Sequence, residues 1–173
     1  LAVMAALADV ADRLESASHA IAELGPEIEG LGPWSLADQF GTEPEASWGP
    51  PELLAHVSEM LPYWLGEIER IVAEPPSADP VPFGRVSGDP VRIAIIGRDR
   101  TVPLRELLAR ISADSRRVGR RLRELDSDAE GTRHGLHPRL GELALPAIAE
   151  RFLASHAAEH VLQLREILAA AQA

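Results

Sequence analysis

Apolar residues recur at alternating steps of three and four along four long segments of this chain, and no other pattern in the sequence constrains the fold as strongly. The segments cover about residues 2–24, 50–73, 101–125 and, starting at Glu142 or Pro146, the residues up to Ala170. Steps of three and four place side chains on one face of an α-helix, and a helix with one apolar face buries that face against other elements. Four such helices, with no alternation of strands and helices, predict an all-α protein built as a helical bundle.

Three connections join the predicted helices. Residues 25–50 begin with a Gly-Pro pair and are predicted to form an ordered connection that folds over the bundle. Residues 75–100 begin with repeated prolines and contain a β-like run at Val91–Ile96, which favours a small hairpin or a buried extended segment. Thr101 is predicted to cap the third helix, and residues 126–138 are predicted to form a polar turn before the fourth.

Composition excludes several kinds of chemistry. The length of 173 residues suits a single domain, 1–173. The chain has no cysteine and no lysine, which excludes thiol nucleophiles, cysteine-rich zinc sites, Schiff-base lysines and a P-loop. Its net charge of −10 has the wrong sign for a partner that is nucleic acid or anionic membrane. No apolar run approaches the roughly 18 to 20 residues of a membrane span, so a cytoplasmic protein without a membrane partner is expected.

Histidines are the candidates for metal binding. His156 and His160 lie about 40° apart on the predicted fourth helix and face the core, whereas Arg151 and Arg165 fall on its opposite side. His56 is also predicted to face inward, from the second helix. Three neutral histidines from two helices would hold a divalent ion such as zinc, nickel or iron and leave positions open for water or substrate. For each histidine alone, the alternative is a core residue that bonds a backbone carbonyl.

Residues 51–56 (PELLAH), 137–143 (HPRLGEL) and 154–164 (ASHAAEHVLQL) resemble the DinB-like superfamily of metal-dependent proteins. Nearly the whole chain can be laid on that pattern. The resemblance implies a four-helix bundle with a long crossover connection between helices two and three. It also implies a metal triad made of one histidine of helix two and both histidines of an HxxxH on helix four. These are the same three histidines that helical periodicity turns inward.

The resemblance implies two types of reaction, which are hydrolysis and transfer or isomerisation with a low-molecular-weight thiol. Zinc or nickel is the expected metal, with iron or manganese as alternatives, and the ion would act as a Lewis acid or bind a substrate thiolate. A small-molecule substrate and a homodimer are expected. The alternative is a non-catalytic metal-binding or dimerising interaction protein, which is favoured if no open coordination position and no cavity adjoin the triad.

Three further residues are weaker catalytic candidates. Glu59 and Glu159 fall near the edges of their apolar arcs, where each could orient a ligand imidazole or accept a proton. The alternative for both is a solvated glutamate at a helix edge. Tyr63 lies on the same side of the second helix as His56 and could donate a hydrogen bond to a bound oxyanion.

The remaining histidines and the arginines of the third helix have simpler interpretations. His134 and His137 form an HxxH, for which capping or packing is favoured over a second metal site, and His19 is predicted to lie on the surface. The arginines of the third helix lie off its apolar stripe and are predicted to pair with the acidic first helix or to guide an anionic substrate. These arginines are Arg110, Arg116, Arg117, Arg120, Arg121 and Arg123.

Overall fold

The computed structural model describes residues 6–38, 47–75, 79–125 and 133–173. These residues are mostly helical and carry one small sheet, so the all-α prediction is right in outline. The helices are α1 (Leu7–Glu23), α2 (Gly25–Gly30), α3 (Pro50–Ala73), α4 (Pro90–Asp99), α5 (Leu104–Glu124), α6 (Leu145–Ala149) and α7 (His156–Gln172). The strands are β1 (Val81–Pro82), β2 (His134–His137) and β3 (Gly141–Ala144), and a π-helical segment, Glu150–Ser155, joins α6 to α7.

The apolar stripes seen in the sequence are the faces along which the long helices pack. Helix α1 packs against α5 and against the C-terminal helix, which is formed by α6, the π-helical segment and α7 together. Helix α3 packs against α5, α4 and the same C-terminal helix. Leu14 and Ile21 of α1 are buried, as are Ile111 and Val118 of α5. Burying one such side chain stabilises the fold by about 1.5 to 3 kcal/mol, so these contacts account for the association of helices with modest individual stability.

Helix α3 begins at Pro50, as predicted, because Glu52 closes its first turn. The Glu52 carboxylate is fully buried and accepts hydrogen bonds from the backbone N–H groups of Gly49 (3.2 Å) and Ala37 (2.8 Å). Arg100 donates to the same carboxylate at 3.2 Å. Glu52 therefore links Ala37, Gly49 and Arg100 through one carboxylate. Residues 39–46 of the predicted ordered connection lie outside the described part of the chain.

The expectation of a strand or extended segment at Val91–Ile96 is wrong, because these residues lie in helix α4. The Asp89 side chain accepts the N–H of Arg92 at 2.9 Å, and Pro90 provides the first residue of the helix. A side-chain cap and a proline at the first position stabilise a helix start, and here they override the β preference of valine and isoleucine. Thr101 does not cap α5, which begins at Leu104; its hydroxyl donates to the Arg98 carbonyl instead.

The sheet corrects the prediction of a polar turn over residues 126–138. Residues 134–137 form β2, which pairs parallel with β1 and antiparallel with β3, and residues 126–132 lie outside the described part of the chain. Gly135 and His137 are buried and their neighbours are exposed, so β2 has one packed face. Glu142 lies in β3, and the fourth predicted helix therefore starts near Pro146, the other predicted position.

The C-terminal helix runs without a break from Leu145 to Gln172, but it is not α-helical throughout. Residues Glu150–Ser155 have π-helical geometry, with hydrogen bonds from residue i to i+5. Such segments are wider than an α-helix and change which residues share a face. None of the helices in the described part of the chain combines the length and apolar character that a membrane crossing needs.

Candidate metal centre

Three histidines from two helices meet at one point, as the sequence predicts. His56 comes from α3, His156 is the first residue of α7, and His160 lies one turn later. The Nε2 atom of His156 lies 3.0 Å from Nε2 of His56 and 3.2 Å from Nε2 of His160. All three candidate ligand atoms lie within 4.8 Å of one another, close enough to bind one metal ion.

The spacing of these nitrogens matches a metal site. Zinc binds histidine nitrogen at about 2.0 to 2.1 Å, so two ligands at a tetrahedral ion are about 3.4 Å apart. The two observed Nε2 separations, 3.0 and 3.2 Å, are only slightly shorter. Three imidazole nitrogens this close have lone pairs that repel one another unless a proton or a cation lies between them. The donor set therefore fits a divalent ion.

Each histidine has a side-chain oxygen near its other ring nitrogen, and each oxygen belongs to the residue three positions later. Nδ1 of His160 lies 3.1 Å from Gln163 Oε1, and Nδ1 of His156 lies 3.4 Å from Glu159 Oε2. Residues three apart are neighbours on a helix surface. An acceptor at Nδ1 holds the proton there and leaves Nε2 with its lone pair free, which is the usual arrangement around metal-binding histidines.

The third pair, His56 and Glu59, is buried. Nδ1 of His56 lies 3.9 Å from Glu59 Oε2, and that oxygen is buried without a hydrogen-bond partner among the described residues. The Arg92 guanidinium, which can only donate, lies 3.5 Å from the same Nδ1. Of these two neighbours, the carboxylate is the one that can accept a proton from Nδ1 when Nε2 binds a metal. The unpartnered oxygen is therefore placed to complete the third pair.

Burial keeps two of the imidazoles neutral. It lowers the pKa of His56 well below its ordinary value, and the neighbouring His160 adds to the effect. Burial, together with the nearby His156, also lowers the pKa of His160 to about 3. Metal ions bind neutral imidazole, so these ligands need not lose a proton at neutral pH.

The three weaker catalytic candidates, Glu59, Glu159 and Tyr63, differ in their burial and in their contacts. Glu59 is buried and ion-paired with Arg85, so it is not a solvated helix-edge residue. Glu159 is mostly exposed. Tyr63 lies under Arg85, whose guanidinium carbon is 3.6 Å from the ring centroid, and burial raises its pKa to about 12. It lines a second cavity of about 750 Å³ rather than the one beside the histidines.

The remaining histidines lie on the surface of α1 and in strand β2. His19 is exposed and lies 3.3 Å from Glu23, as expected for a surface residue. His134 and His137 point to opposite faces of β2, because side chains alternate along a strand, so they do not form a joint metal site. Nδ1 of His137 accepts the backbone N–H groups of Arg139 and Leu140, which is the capping role that the sequence favours.

A cavity of about 570 Å³ opens beside the three histidines. His56 and His156 line it, and one wall is formed by Trp64 and Phe152, whose rings stack 4.1 Å apart. Arginines also line it, and sequence reasoning did not associate them with the site; they are Arg85, Arg92 and Arg151. The arginines of α5 do not line this cavity. Arg123 pairs with Asp12 and Glu15 of α1 as predicted, whereas Arg121 pairs with Glu69 of α3 and Arg117 with Asp114 of its own helix.

No family model, curated protein or solved structure matches this chain in the three comparisons with known proteins. The resemblance to the DinB-like superfamily therefore stays a prediction.

The buried carboxylate of Glu59 is expected to strengthen metal binding. Substitution Glu59→Gln removes the charge that faces His56 and should weaken zinc affinity by about 10- to 100-fold, the usual effect of losing a partner of a metal-ligating histidine. Glu159→Gln is the matched control, and because that carboxylate is exposed we expect a loss of no more than about fivefold. Competition with a chromophoric chelator measures both. Equal affinities of Glu59→Gln and the unmodified chain would contradict the assignment.

Proposed function

We propose that this chain binds one divalent transition-metal ion through His56, His156 and His160. The observation that carries the proposal is the convergence of three Nε2 atoms while each Nδ1 has a side-chain oxygen nearby. Imidazole donors suit zinc, nickel and iron, and manganese less well. Zinc or nickel is the metal we propose, with iron or manganese as alternatives.

We also propose that the long helices form a four-helix bundle of the DinB-like kind. The pairwise packing of α1, α3, α5 and the C-terminal helix supports this topology. So does the length of the connection between α3 and α5, which covers residues 74–103 and includes β1 and α4. This segment would be the long crossover.

The cavity beside the triad supports an enzymatic role. Three protein ligands leave at least one coordination position open, as in catalytic zinc sites, and the cavity of about 570 Å³ suits a small-molecule substrate. The ion, when bound, supplies Lewis acidity for a metal-dependent hydrolase or for a transferase or isomerase that uses a low-molecular-weight thiol. Glu159 lines the cavity and is the candidate proton acceptor. Because the chain has no cysteine, any reacting thiol must come with the substrate.

A non-catalytic metal-binding or dimerising protein is the second candidate. Exposed apolar side chains favour it, since such residues often lie at interfaces between copies of a chain. The larger ones among the described residues include Leu136 in β2, Leu140 in the turn that follows it and Leu162 on α7. The open cavity at the triad favours the enzymatic candidate over this one.

Metal content tests the proposal. Elemental analysis of protein never exposed to chelator should find close to one transition-metal ion per chain. After chelator treatment, zinc titration should restore one ion per chain and raise the stability by about 2.7 kcal/mol at a free zinc concentration 100 times the dissociation constant. Absence of metal together with no shift on titration would overturn the proposal. With cobalt in the site, a change in the electronic spectrum on adding a low-molecular-weight thiol would favour the thiol-dependent reaction over hydrolysis.

A further inference from the structure

The π-helical segment contains an arginine that lines the cavity beside the histidines. In an uninterrupted α-helix, five residues separate side chains by about 140°, so Arg151 would lie far from the face that carries His156. Hydrogen bonds between residues i and i+5 instead bring residues five apart onto nearly the same face. Arg151 and His156 indeed line the same cavity. Arg151 is exposed, as predicted for the side of the helix away from the core, but it lines the same cavity as His156.

Arg151 differs from the other two arginines of the cavity in its contacts. Arg85 pairs with Glu59 and stacks on Tyr63, and Arg92 donates to the Ser87 carbonyl at 2.8 Å. Arg151 is exposed and makes no hydrogen bond or ion pair with any residue that the structure describes. Its guanidinium is therefore available to a ligand.

The cavity is cationic within an acidic protein. The chain carries a net charge of −10, yet three arginines and only two glutamates line this cavity. Two of these groups are already paired, since Glu150 accepts from Arg13 at 2.8 Å and Arg85 donates to Glu59. The remaining charges are those of Arg92, Arg151 and Glu159, and Glu159 lies beside His156. A divalent ion at the histidines would make the cavity more positive still.

We propose that Arg151, with Arg92 of the same cavity, binds the anionic group of a small molecule whose apolar body lies against Trp64 and Phe152. The anionic group is a carboxylate or a phosphate, since guanidinium binds both through paired hydrogen bonds. The stacked aromatic rings provide the apolar wall. That this molecule is the substrate rests on the proposed function, but the binding of the anion does not require the metal.

Aryl anions test this proposal. Benzoate and phenyl phosphate are titrated into the full chain by calorimetry or NMR, and benzamide serves as a neutral molecule of the same shape as benzoate. Arg151→Gln should weaken binding of at least one of the two anions by about tenfold or more, because a hydrogen bond to a charged group is lost. Benzamide affinity should not change. Arg165→Gln is the matched control, because Arg165 is exposed on α7 and does not line the cavity.

The outcomes separate this proposal from the proposed function. Preferential loss of benzoate binding would identify a carboxylate subsite, and preferential loss of phenyl phosphate binding a phosphate subsite. Equal affinity of Arg151→Gln and the unmodified chain for both anions, or no binding of either at millimolar concentration, would overturn the proposal. Metal content is measured on every sample. If the unmodified chain contains no metal but binds an anion, and Arg151→Gln abolishes that binding, the anion site is supported and the metal site is contradicted.

Discussion

Replacing His156 and His160 with alanine is expected to abolish stoichiometric metal binding. The two side chains contribute two of the three converging Nε2 atoms, and a single remaining histidine cannot hold a divalent ion tightly. Loss of one partner of a ligand costs about 10- to 100-fold in affinity, so loss of two ligands should cost more than about 100-fold. Elemental analysis and zinc titration of the double variant measure the effect.

Folding of this variant has to be established independently, because His160 is buried and its removal leaves a cavity. The single variant His156→Gln addresses this point, since His156 is partly exposed and glutamine preserves most of its volume. His19→Ala with His134→Ala is the matched control, which removes two exposed histidines that are not part of the triad. Metal retained at one ion per chain in the folded His156→Gln and double variants would refute the site.

The second large effect concerns folding at Gly84. This residue has φ of +81°, a conformation that costs little only for glycine. A Cβ at this position would lie 2.5 Å from Cδ2 and 3.0 Å from Nε2 of His137, whose ring packs against Phe83 and Phe152. Gly84→Ala therefore combines backbone strain with crowding, and we expect a loss of about 2 to 5 kcal/mol in the free energy of unfolding, measured by urea denaturation.

Gly141→Ala separates the two contributions. Gly141 has φ of +75°, but a Cβ there would meet no atom within 4 Å. We expect that variant to lose only the backbone contribution, about 1 kcal/mol. If Gly84→Ala lowers the free energy of unfolding by no more than Gly141→Ala does, the His137 ring moves away from the added methyl group at little cost. That result would contradict the predicted crowding.

Predictions from the sequence succeed where a side chain's direction depends on a regular helix. Periodicity predicts that His56, His156 and His160 face inward. His56 and His160 are buried, His156 is partly exposed, and the three converge on one point. The Val91–Ile96 segment was predicted wrongly because its β-branched residues favour a strand, whereas the Asp89 cap, a single side-chain contact, favours a helix. A short segment with conflicting preferences is decided by its surroundings.

The small sheet was not foreseen for a related reason. Strand β1 pairs with β2, which lies more than 50 residues later in the chain, so neither strand can form from its own sequence. Gly135 of β2 permits this packing, because a Cβ there would lie 2.5 Å from Phe83. Glycine is required at this position by a ring that lies far away in the sequence, so no local sequence pattern indicates it.

The sequence by itself determined the helical stripes and the three inward histidines, since both depend only on the constant rotation per residue of an α-helix. The tertiary structure decided what surrounds those histidines. Glu59 is buried because Arg85, from a segment 26 residues later, neutralises it. Arg151 faces the cavity because the π-helical segment interrupts the regular rotation between it and His156. Periodicity predicts a direction only while the hydrogen-bond pattern of the helix stays the same, and burial of a charge requires a partner brought in by the fold.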